Sequence, residues 1–149
     1  GAEWVFVAIS ILFLLVILTL VIILVYLAIK RGIRRRMTRL NQDELLEEII
    51  TYIDKMICSP ISIDELCSKF LVSRSSLQTL FKNNLNTSPK KYINDLKLSK
   101  SKQLIKENKY TISEISFMLG FNSIHYFSRA FTQHYEIRPS EYAQTVFKT

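Results

Sequence analysis

The pattern of apolar and polar positions divides the chain sharply. From Val5 to Ile29 no charged residue occurs, and the only hydroxyls besides Tyr26 are Ser10 and Thr19. As a helix, at ~1.5 Å per residue, this run is about 37 Å long, enough to cross a hydrocarbon core of ~30 Å with some tilt. It lacks the polar face that a helix packed on a soluble core shows. Trp4 and Tyr26 lie near its ends, where aromatic belts form. The pattern predicts a transmembrane helix over 4–29.

The pattern then becomes amphipathic. Leu45, Leu46, Ile49, Ile50, Ile53 and Ile57 recur at helical spacing, and Asp43, Glu44, Glu47 and Glu48 load the first turns, where the helix dipole favours acids. This predicts a helix over 41–58, stopped by Pro60. It either packs on its own domain or acts as a dimerising or signal-relaying helix just inside the membrane.

From Ser62 to Tyr142 the same design occurs twice. "SIDEL" and "TISEI" each offer a capping box, Ser62 with Glu65 and Thr111 with Glu114. Later landmarks recur about fifty positions apart: Leu77 with Phe127, Phe81 with Phe131, Pro89 with Pro139, Tyr92 with Tyr142. Each copy reads as helix, tight turn, helix. The first spans about 62–83, with a short helix ending near Phe70 and Ser73 capping the next. The second spans about 111–133, with Gly120 ending one helix in the left-handed conformation and the next starting near Ser123. Between them Pro89 opens a helix of roughly 18 residues over 89–107, about 27 Å long.

The second helix of each copy separates its faces. Leu77, Leu80 and Phe81, then Phe127, Ala130 and Phe131, form the buried stripes. Ser75, Gln78, Thr79 and Lys82 share the outward face of the first; His125, Ser128, Arg129 and Thr132 repeat that spacing in the second. Both faces lack acids. Such a face suits a negatively charged major groove, where Gln and Arg bond bidentately to base edges and Ser, Thr and Lys contact phosphates. A 27 Å connector suits two reading helices about one DNA turn, ~34 Å, apart.

Charge sharpens this picture. The chain carries 20 Lys and Arg against 13 Asp and Glu. Lys30, Arg31, Arg34, Arg35, Arg36 and Arg39 follow the apolar run, the reverse of a signal peptide, and mark 30–40 as a juxtamembrane segment on the cytoplasmic side, against membrane lipid. Seven acids then fall within 41–65, and only five follow Glu65, so the repeated region is basic and suits a polyanion. Cys58 and Cys67 lack zinc-site spacing and read as small reduced hydrophobes. No nucleophile–base pair, metal ligand set or cofactor motif is seen, so no catalysis is expected within this chain, and His125 and His134 read as surface residues. Because residue 1 is Gly rather than Met, the expectation is a processed or truncated product whose external sensing part preceded it.

The segments "SIDELCSKFLVSRSSLQTLFK", "TSPKKYINDLKLSKSKQLI" and "TISEISFMLGFNSIHYFSRAF…RPSEY" resemble the DNA-binding domain of AraC/XylS-type bacterial transcription regulators over about Ser59 to Ala143. The resemblance implies an all-α fold: after the transmembrane helix, a seven-helix domain over 59–145 with two helix-turn-helix units joined by a long helix. It implies that Arg74, Ser75, Gln78 and Thr79, then Ser123, Ile124, His125 and Arg129, face DNA. Lys82 joins them from its place on the outward face. Ile124, apolar where polar residues are frequent, faces a thymine methyl or no base at all. Leu71 stands where the family has a turn glycine, which predicts a looser first turn. Asn86 and Glu136 also replace glycines, Lys97 replaces Arg and Ser101 replaces Ala.

The expected function is a membrane-anchored, sequence-specific transcription regulator, the output end of an extracytoplasmic sensor in the inner membrane, single-pass with its N-terminus outside. Its expected partners are double-stranded DNA, membrane lipid, RNA polymerase and a second copy of the chain. The alternatives are the C-terminal output part of a hybrid sensor kinase and a membrane-surface interaction module.

Overall fold

The computed structural model describes residues 1–147. These form seven helices: α1 (Ala2–Lys55), α2 (Ile63–Phe70), α3 (Arg74–Leu85), α4 (Pro89–Glu107), α5 (Ile112–Met118), α6 (Ile124–Tyr135) and α7 (Pro139–Phe147). No strand occurs among the described residues. The chain divides into two compact units, Gly1–Glu44 and Leu45–Thr149.

The first unit is helix throughout from Ala2, including the basic segment after Ile29. Its apolar side chains stand exposed, and an 18-residue window reaches a mean hydropathy of 3.4, so the helix is long and apolar enough to cross a membrane. Its hydroxyls are turned back onto the helix: Ser10 Oγ donates to the Phe6 carbonyl at 2.9 Å and Thr19 Oγ1 to that of Val16 at 2.8 Å. Neither hydroxyl therefore needs water, which matters in hydrocarbon.

The second unit has two cores. Leu46, Ile49 and Ile53 from the end of α1, with Ile57, pack against Leu66 of α2, Leu77, Leu80 and Phe81 of α3 and Ile93 of α4. The second core joins Leu98, Leu104 and Ile105 of α4, Ile115 of α5, Leu119 and Phe121 of the turn, and Phe127 and Phe131 of α6. Each such side chain contributes about 1.5–3 kcal/mol on burial. The end of α1 is thus the first helix of this domain: from residue 59 on, the described residues hold six helices, α2 to α7, rather than the seven expected there, and the seventh precedes that stretch. The predicted helix over 41–58 is part of α1 and ends at Lys55.

Local chemistry explains the breaks. Ser62, Ser73, Ser88, Thr111 and Ser123 each accept the amide three residues on, and Pro89 sits in the first turn of α4. The Thr111–Glu114 capping box is complete. At Ser62 only half forms, because Glu65 Oε1 takes the Tyr52 hydroxyl at 3.0 Å instead. That bond, with a little burial and the nearby Glu65 charge, raises the Tyr52 pKa.

The two turns close in the same way. The Val72 amide donates to the Cys67 carbonyl at 3.0 Å around Leu71, and the Phe121 amide to that of Ser116 at 3.1 Å around Gly120. These are Schellman closures, which need a left-handed residue. Gly120 has φ +70°, and Leu71 adopts φ +52° despite its side chain. The looser first turn expected from Leu71 is not found: Leu71 takes the glycine geometry and leaves its side chain 91% exposed. Asn86 and Glu136 end α3 and α6 with φ of 51° and 59°.

Candidate nucleic-acid interface

α3 is oriented by its inward residues. Leu77 and Phe81 are fully buried and Leu80 nearly so, which turns Ser75, Gln78, Thr79 and Lys82 outward, all exposed. The Thr79 hydroxyl donates to the Ser75 carbonyl at 2.9 Å, and Lys82 Nζ to Asn86 Oδ1 at 3.1 Å. The Gln78 amide has no partner among the described residues. Arg74, the first residue of α3, is less free: its Nε donates to Asp64 Oδ1 at 2.8 Å, and a second guanidinium nitrogen meets the same oxygen. The face is acid-free along α3 itself, but α2 brings this carboxylate to its edge. Gln78, Thr79 and Lys82 line a groove of about 550 Å³ that runs on to Thr87, Ser88 and Lys91.

α6 repeats the arrangement. Phe127 and Phe131 are fully buried and Ala130 partly so. Ile124, His125 and Arg129 are exposed, with Ser128 and Thr132 half-buried between them. Thr132 Oγ1 donates to the Ser128 carbonyl at 2.7 Å. The Ser123 hydroxyl, placed among the expected DNA contacts, accepts the Tyr126 amide at 3.0 Å as the helix cap. A groove of about 840 Å³ is lined by Ile124, Ser128, Arg129 and Thr132, and by Arg138 and Ser140 at the start of α7. Arg129 has no partner among the described residues.

Arg138 did not figure among the expected contacts. The available signal was its place immediately before Pro139, where the first copy has Ser88 before Pro89.

Behind this face α4 anchors the second helix-turn-helix. Asp95 of α4 holds Lys91 at 2.7 Å and lies 3.6 Å from Nδ1 of His134 on α6. Lys102 Nζ lies 4.5 Å from the ring centre of Tyr135 and 5.1 Å from that of Tyr142, so one cation touches α6 and α7 together. Burial, then the charge of Asp95, raises the Tyr135 pKa. Lys97 is buried near the Phe121 ring, and burial lowers its pKa.

A family model described as a helix-turn-helix domain matches residues 66–145. The chain is 33% identical over 110 residues to the HTH-type transcriptional regulator GbdR of Pseudomonas aeruginosa, a match that covers 74% of this chain and 30% of GbdR. It therefore spans about 30% of the length of that relative. Among solved structures, an AraC-type transcriptional regulator from Chromobacterium violaceum superposes with a TM-score of 0.66 at 31% identity, covering 72% of this chain and 96% of that one. The DNA-binding domain of AdpA, solved in complex with a target DNA, superposes with a TM-score of 0.64 over 67% of this chain and 90% of that one. At 16% identity, that likeness is one of fold alone.

Proposed function

The chain belongs to the AraC-type helix-turn-helix family, and from that premise we propose that it is a membrane-anchored, sequence-specific DNA-binding regulator of transcription, the output end of an extracytoplasmic sensor. The observation that carries this reading is the pair of outward polar faces on α3 and α6. They are set by equivalent buried stripes and joined by α4, whose 19 residues make it about 28 Å long. That length suits two reading helices in successive major grooves, ~34 Å apart.

In this reading Gln78 bonds an adenine edge and Arg129 a guanine edge, each bidentately. Ser75, Thr79 and Lys82 take phosphates. Ile124 meets a thymine methyl, His125 lies beside it, and Ser123 acts by fixing the helix start nearest the bases. Arg74 can exchange Asp64 for a phosphate at small cost, because an exposed ion pair is worth only ~0–1 kcal/mol.

The apolar part of α1 crosses the inner membrane with its N-terminus outside, and the cations from Lys30 to Arg39 rest among anionic headgroups on the cytoplasmic side. A second copy doubles the DNA contacts and raises effective concentration on a two-site operator. RNA polymerase is the remaining partner.

The test is genome-wide DNA capture with the full chain in neutral detergent at fixed salt, beside a Gln78→Ala/Arg129→Ala double variant. The expected result is an enriched motif with two half-sites about a turn apart, lost in the variant. Uniform, salt-sensitive binding that the variant leaves unchanged would refute the regulator and favour a membrane-surface module.

A further inference from the structure

We infer that Arg138 is a further DNA contact of the second helix-turn-helix unit, its guanidinium holding a backbone phosphate at the rim of the groove that Arg129 reads. The inference rests on the DNA-binding reading above and adds a residue to it.

Three observations converge. First, Arg138 lines the same groove as Ile124, Ser128, Arg129 and Thr132. It immediately precedes α7, whose Pro139 and Ser140 line the groove as well. A side chain at the rim of a major-groove reader meets the sugar–phosphate strand rather than the base edges.

Second, its guanidinium has no partner among the described residues, in contrast to Arg74, which is tied to Asp64. An acid is met by the backbone: the Arg138 amide donates to Glu141 Oε2 at 3.4 Å. The start of α7 is therefore tied by Glu141 through the backbone, and the Arg138 guanidinium takes no part in that bond.

Third, the internal repeat supplies a reference. Pro139 matches Pro89, so Arg138 matches Ser88. Ser88 Oγ accepts the Lys91 amide at 3.2 Å and caps α4. A guanidinium cannot accept a hydrogen bond, so at position 138 the chain has a cation in place of that cap. In the first helix-turn-helix unit the corresponding groove has its cations elsewhere, in Lys82 and Lys91. In the second unit Arg129 and Arg138 are the cations of the groove.

The test compares the full chain with Arg138→Ser and Arg138→Lys, binding two probes across about 0.05–0.3 M salt. One probe is the duplex enriched by capture and the other a mixed-sequence duplex. Arg138→Ser is expected to weaken binding to both duplexes about equally, by roughly 3- to 10-fold, and to lower the slope of log K against log salt by about 1. Arg138→Lys should keep the slope. The melting temperature of Arg138→Ser should not fall, because serine can restore the cap.

An unchanged affinity and slope in Arg138→Ser would overturn the inference. So would an equal loss in Arg138→Lys accompanied by a lower melting temperature. Failure of the unsubstituted chain to prefer the enriched duplex would sink the sequence-specific reading, while the salt slope would still decide Arg138. Failure to bind either duplex would overturn both.

Discussion

The Tyr92 ring meets the Phe81 ring edge-on, with centroids 5.5 Å apart. The equivalent pair, Phe131 and Tyr142, lies at 5.9 Å. In each copy the last buried aromatic of α3 or α6 is held by a tyrosine in the first turns of the following helix. This contact packs α3 against α4 and α6 against α7. Aromatic pairs in such geometry add about 0.5–1.5 kcal/mol beyond area burial.

Removing the aromatic from the second pair tests its weight. Phe131 is fully buried and also meets the Phe127 and Tyr135 rings at a tilt. Phe131→Ala should destabilise the domain by about 3–5 kcal/mol. Urea unfolding followed by aromatic circular dichroism would measure it, and a loss below about 1 kcal/mol would contradict the packing described.

The two turns make opposite predictions. Leu71 sits at φ +52° with its side chain in solvent, a conformation that costs an L-residue roughly 1–2 kcal/mol. Leu71→Gly relieves that cost but increases unfolded-chain entropy, so a net gain of up to about 1 kcal/mol is expected. Gly120→Ala should lose about 1–2 kcal/mol. The loss would come from the backbone at φ +70°, since an added Cβ would find ordinary contacts, 3.6 Å to Lys97 Nζ and 3.8 Å to Pro60 Cα. Melting temperatures moving in the same direction for both would refute this account.

The caps should differ in the same quantitative way. A Thr111→Ala/Glu114→Ala double variant removes both halves of a complete box, the Thr111 hydroxyl that accepts the Glu114 amide at 3.2 Å and the Glu114 Oε2 that accepts the Thr111 amide at 2.7 Å. A loss of about 1–2 kcal/mol is expected. Ser62→Ala removes one bond and leaves the Tyr52–Glu65 link intact, so about 0.5–1 kcal/mol is expected. Equal losses in chemical denaturation would argue against the half-formed box.

Lys97 links stability to alkaline pH. Burial lowers its folded-state pKa below the unfolded value near 10.5. Between the two values the unfolded chain binds more protons, so this residue's contribution to stability rises with pH across that window. Below the folded value the full desolvation penalty is present. Lys97→Met keeps the volume and removes the charge, so its advantage over the unsubstituted chain should shrink as pH climbs toward 10.5. An advantage that stays constant across that range would show that Lys97 does not titrate differently on folding. The tyrosines act in the opposite sense. The raised pKa values of Tyr92 and Tyr135, caused first by burial, keep them protonated when the unfolded chain ionises, so their contribution falls above about pH 10.

The helix starts and the buried stripes were legible because their causes are local. A cap reaches three residues and a stripe repeats every three or four, so Ser73, Thr111, Pro89, Leu77 and Phe127 could be placed from spacing alone. The pairing of Arg74 and the loss of the second half of the Ser62 box were not legible. They depend on Asp64, ten positions away, and on Tyr52, thirteen away, brought close by packing.

The sequence by itself determined that this chain has a charge-free apolar helix followed by a doubled, basic helix-turn-helix module. Apolar length, caps and periodic stripes act over a few residues, and the repeat carries them to two places. The tertiary structure alone decided that the end of α1 packs into the domain's first core, that Leu71 takes a glycine's conformation, and that Arg138 shares a groove with Arg129. Each of those outcomes depends on which surfaces meet when helices pack, and a linear pattern does not encode the angle at which they cross.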